Sequence, residues 1–169
     1  MQRETGGRVI VGVEDSLAGL RALRVAVAEA RRRGTALHAL RAWNLNPSGQ
    51  GTSRAWYDEL ERAAAATIVE AFDKTLGGLP GDVDVAATTV VGHPGRALVR
   101  YADRDDDTLV IGAARRHWLR RLVRPSVARY CVARAQCPVL VVPPDAFARQ
   151  ARREGMARSI RRGLPSLIG

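Results

Sequence analysis

Lysine is almost missing from this chain of 169 residues: of its 27 Lys and Arg residues only Lys74 is lysine. Cysteine is nearly as scarce, and Cys131 and Cys137 match neither a zinc-ligand spacing nor a CxxC redox pair. That excludes a disulfide framework and leaves both as small core residues of a reducing compartment. No apolar stretch approaches the roughly 18–20 residues that a helical membrane span needs. The opening "MQRETGGRVIVGVE" lacks the long apolar block and small-residue cleavage site of a secretory signal. The expectation is a soluble, cytoplasmic chain. His38, His93 and His117 share no metal-ligand spacing, and no Ser–His–Asp or Cys–His arrangement proposes a nucleophile. No catalytic group is predicted, so the expected mode of action is binding.

Short aliphatic runs are what the chain has in plenty. "RVIVGVE" (8–14) is a near-continuous apolar run, as expected of a strand buried on both faces. Asp15 or Ser16 offers an N-cap, and Leu20, Leu23, Val27 and Ala30 line one face of the helix that follows. Arginines at 31–33 suit its C-terminus, and Gly34 stops it. "TALHALRAW" (35–43) reads as a second strand, and 44–53 as a loop. From Trp56 to Leu76 Leu60, Ala64, Ile68, Ala71 and Phe72 keep helical register. "VDVAATTVV" (83–91), "DTLVIGA" (107–113) and "CPVLVVPP" (137–144) give three further strands. A short helix separates the first two of these, and one from Ser126 to Gln136 separates the last two. Strands alternating with helices demand a parallel α/β sheet, doubly wound, with helices on both faces. Ligands of such sheets bind at the carboxyl ends of the strands, near the switch in strand order.

The formal charge is +10, and its placement is uneven. Arg115, Arg116, Arg120, Arg121, Arg124, Arg129 and Arg134 fall in one stretch without an acidic residue. Arg149, Arg152, Arg153, Arg158, Arg161 and Arg162 then crowd the last 25 residues, 145–169. Such clusters attract phosphates, nucleic acid or an anionic membrane. Solvated arginine surface accounts for them equally well. The stretch 146–169 reads as a basic extension, either disordered or a short helix, after an α/β domain at 1–145.

Four segments together resemble the universal stress proteins of the UspA type. They are "VIVGVEDS", "ARRRGTALHALRAW", "VVGHPGRALVRYA" and "TLVIGA…SVARYCVARAQCPVLVV", and the likeness covers about residues 8–143. The resemblance implies a five-stranded sheet of order 3-2-1-4-5. It also implies homodimers through the last strand, Val139, Leu140, Val141 and Val142. One branch of that family binds ATP through Gly, two residues, Gly, nine residues, Gly and a hydroxyl residue. In "GAARRHWLRRLVRPS" (112–126) Gly112 and Ser126 fill the ends of this pattern, while Arg115 and Pro125 occupy the other two glycine positions. The family's strand ends that hold ribose and base correspond to Gly12, Glu14 and Ala42, and Val127 follows the hydroxyl position.

Glycine serves such a loop because backbone can approach phosphate closely and adopt positive φ. Arg115 does neither cheaply, and Pro125 has no N–H to donate. Two readings follow. Either ATP is held weakly or not at all, and the chain acts as a regulator through a protein partner. Or Arg115, Arg116 and Ser126 supply by side chain what the glycines no longer supply by backbone.

Overall fold

The computed structural model describes residues 6–44, 54–113 and 126–144. Their order is β1 (Val9–Gly12), α1 (Leu17–Arg33), β2 (Leu37–Trp43), α2 (Arg54–Leu76), β3 (Val85–Val91), α3 (Pro94–Tyr101), β4 (Thr108–Gly112), α4 (Val127–Arg134) and β5 (Val139–Val142). The five strands form one parallel sheet in the order β3-β2-β1-β4-β5. Both the α/β class read from the sequence and the strand order implied by the resemblance are therefore found. The first strand is shorter than its apolar run, because Val13 to Ser16 turn into α1. Arg115, Arg116 and the extension 146–169 lie outside the described residues, as does most of the 112–126 turn. Among the described residues no helix is long and apolar enough to cross a membrane.

Alternation along the central strands builds two cores. Val9 and Val11 face Leu23, Val27, Ile68 and Phe72 of α1 and α2. Ile10, with Leu109 and Ile111, faces Leu98, Ala102 and Cys131 on the side of α3 and α4. Both cysteines are free and buried, as small apolar residues would be. Burial pushes the Cys131 thiol up to about 11, so it stays protonated and unreactive. The ends of α1 follow the sequence. Ser16 Oγ accepts from the Gly19 N–H at 3.0 Å, and Gly34 closes the helix at φ 63°, in the left-handed region glycine favours.

At the amino ends of β1 and β4 lies a charge that the core encloses. Asp107 is fully buried. Its carboxylate accepts from Arg8 Nε at 3.0 Å and Arg8 Nη2 at 2.6 Å, and from the backbone N–H groups of Arg8 and Arg104 at 3.0 and 3.3 Å. The same guanidinium reaches Asp103 and the Tyr101 carbonyl, and lies over the Tyr101 ring. Burial alone would raise the Asp107 carboxyl, but the bonds from Arg8 outweigh it and hold the group below the usual carboxylate range.

A depressed folded-state value means that the group adds stability above its unfolded value of about 3.9, and that this is lost as pH falls through the folded value. Asp107→Ala leaves Arg8 without its buried partner and is expected to cost about 3–5 kcal/mol in urea unfolding at pH 7. The deficit should shrink as the buffer is taken below about pH 4. A variant as stable as the parent at pH 7 would show that the pair contributes nothing.

Candidate functional site

The sheet reverses its direction of winding between β1 and β4, and a cleft of about 620 Å³ opens at the carboxyl ends of β1, β2 and β4. Of the residues singled out in the sequence, Gly12, Glu14, Ala42, Gly112, Ser126 and Val127 all line it. They come from three strands, the turn after β1 and the start of α4. The structure brings these six together; Arg115 and Arg116 lie outside the described residues. Val13, which the sequence already places at the carboxyl-end rim, also lines it; Leu40, Arg41, Asn44, His93, Pro94, Leu98, Ile111 and Ala128 complete the lining and were not expected there. Of these, His93 and Pro94 had a usable signal: "GHPG" after a strand places a polar side chain at a helix start, on the rim where ligands of such sheets bind.

Each glycine of the cleft has a local reason. A methyl group at Gly112 would lie 2.7 Å from the Ala18 carbonyl carbon and 2.8 Å from the Gly19 nitrogen. The first turn of α1 thus crosses directly over the end of β4, and no side chain fits between them. A methyl group at Gly12 would meet Leu98 Cδ1 at 3.0 Å, so this glycine keeps the cleft floor low. The turn after β1 is held from α2, where Lys74 Nζ donates to both Asp15 carboxylate oxygens at 3.1 Å. Arg41 Nη1 donates to the Val13 carbonyl at 3.0 Å and ties the end of β2 to the same turn.

The electrostatics are mixed. Glu14 is exposed at the start of that turn and, among the described residues, has no ion-pair partner. Ser126 is the N-cap of α4: its Oγ accepts from the Arg129 N–H at 3.3 Å, which leaves its own O–H to donate. The N-termini of α3 and α4 both open onto the cleft, so the backbone there favours an anion. Among the described residues no group of three or more His, Cys, Asp or Glu could hold a metal ion. Aliphatic walls, a few polar groups and two helix starts can bind a small anionic ligand.

The family model of the universal stress proteins matches residues 7–143. The chain belongs to that family. A universal stress protein solved in complex with cAMP is 28% identical, with a TM-score of 0.63 over 82% of this chain and 98% of the other. One from Archaeoglobus fulgidus is 26% identical, with a TM-score of 0.54 over 80% of this chain and 98% of that one. UspA from Lactobacillus plantarum, 23% identical with a TM-score of 0.56 over 80% and 97%, shares the fold.

Because Gly112 is crowded by backbone, Gly112→Ala is expected to lower stability by about 1–3 kcal/mol whether or not a ligand is present. Thermal melts of the ligand-free protein measure this. An unchanged midpoint would mean that α1 and β4 part without cost.

Proposed function

We propose that this universal stress protein is a cytoplasmic regulator that acts by binding, with no reaction of its own, and that its cleft takes an adenine nucleotide with a single phosphate. The convergence of Gly12, Glu14, Ala42, Gly112, Ser126 and Val127 on one cleft carries this reading. Its volume of about 620 Å³ lies within the range of small-molecule sites. The 28% identical relative in complex with cAMP supports a mononucleotide as the ligand class. ATP is held weakly or not at all, because Arg115 and Pro125 stand where a triphosphate loop would offer glycine backbone.

Isothermal titration with AMP, cAMP and ATP–Mg²⁺ tests the reading. AMP or cAMP is expected to bind at least about tenfold more tightly than ATP. ATP binding tighter than about 1 μM would move the assignment to a triphosphate site built from Arg115, Arg116 and Ser126. Failure of all three nucleotides, with retardation of short DNA duplexes that fades steeply with salt, would move it to the arginine clusters as a polyanion surface.

The chain is further proposed to form a homodimer through β5. The bonds from Leu109 N–H to the Pro138 carbonyl and from Ala113 N–H to the Val142 carbonyl turn the even-numbered residues of β5 toward β4. The backbone groups of Val139 and Val141 therefore face away from the sheet. Leu140 and Val141 are exposed, at 41% and 38%, whereas the Val142 side chain belongs to the protomer's own core. The double substitution Leu140→Arg and Val141→Arg is expected to halve the mass measured by light scattering. A parent that is already monomeric, or a variant that stays dimeric, would refute the assignment.

A further inference from the structure

The cleft contains two helix starts, and they are equipped differently. Every helix leaves its first N–H groups without a carbonyl of its own to bond. At α4 Ser126 caps one of them by side chain. At α3 the N-cap is His93, which makes no side-chain cap, and Pro94 behind it has no N–H. The amides of Gly95 and Arg96 are thus free of any helical carbonyl, at the end of the helix dipole that favours an anion.

The His93 ring is exposed, lines the cleft, and has no hydrogen-bond partner among the described residues. It is nonetheless placed. Tyr130 of α4 lies against it, with ring centroids 6.2 Å apart and a tilt of 54°. Tyr130 comes this near because position 95 is glycine, where a methyl group would sit 3.0 Å from Tyr130 Cδ1. The Arg134 guanidinium, 5.6 Å from the Tyr130 ring centroid, braces the platform further. An imidazole whose nitrogens are unpaired among the described residues, supported from the neighbouring helix, stands beside a helix start without a side-chain cap. Glu14, the carboxylate of the cleft, lies on the turn into α1, which packs on the other face of the sheet.

We propose that His93 is the residue that reads the phosphate of the bound mononucleotide. Its imidazole N–H donates to a phosphate oxygen held at the start of α3, in place of the amides that the family's loop would offer at positions 115 and 125. The assignment rests on the reading of the cleft as a nucleotide site. It places the phosphate between α3 and α4, and leaves Glu14 for the ribose hydroxyls, which a carboxylate accepts from and a phosphate would not tolerate nearby.

Titration of the full-length chain with AMP and with adenosine separates the possibilities. His93→Ala is expected to weaken AMP about tenfold and to leave adenosine unchanged, as loss of one hydrogen bond to a charged group requires. His93→Gln, whose amide still donates, should restore most of the AMP affinity. Equal weakening of AMP and adenosine, or AMP affinity indifferent to both substitutions, would overturn the role of His93 while leaving the cleft a nucleotide site. A parent protein that binds neither ligand would overturn the cleft reading and His93 with it.

Discussion

The ion pair between Arg8 and Asp107 fixes the seam on which the fold turns. β1 and β4 are neighbours in the sheet but lie about a hundred residues apart in the chain, and each begins one winding direction. A slip of one residue between strands sends every side chain to the opposite face. Here both faces are core, so a slip would exchange Ile10 for Val9 and Val11 in two differently shaped interiors. The Arg8 carbonyl accepts from the Thr108 N–H at 2.8 Å while its own N–H and guanidinium grip Asp107. One register satisfies all of these at once. Such a pair defines the alignment more than it adds net stability, since most of its Coulomb gain offsets desolvation.

With the amino ends closed in this way, the carboxyl ends are free to part. β1 and β4 diverge there into turns that lead to opposite faces, and the cleft is the gap they leave. Gly12 and Gly112 keep it open, and its rim has support from behind: Lys74 on Asp15, Arg41 on the Val13 carbonyl, Tyr130 on His93. The two ends of the sheet thus divide the work. One spends a buried charge on alignment, and the other withholds side chains to make room.

Much of this was legible in the sequence. The five strands show as aliphatic runs, and Ser16 and Gly34 bound α1 where their chemistry says they should. Leu20, read as core, is only half buried, because 3.6 residues per turn carries it to the edge of the packed face. Asp107 was not legible as a buried residue. It ends a run, "DRDDD", whose members look alike, and its burial depends on an arginine 99 positions earlier. The cleft was half legible. Gly12, Glu14, Ala42, Gly112, Ser126 and Val127 came from resemblance to a family. His93 was open to reading through "GHPG" after a strand, whereas the place of Arg41 follows from its bond to the Val13 carbonyl, 28 positions earlier.

The crowding at Gly112 bears on how descent in this fold is interpreted. The neighbouring helix turn forbids any larger residue there, so a lineage that had abandoned its ligand would still retain this glycine. Sorting relatives into binders and non-binders by that position would measure inherited architecture alone. The informative positions are those with open space around them, where nothing except the small molecule itself opposes drift.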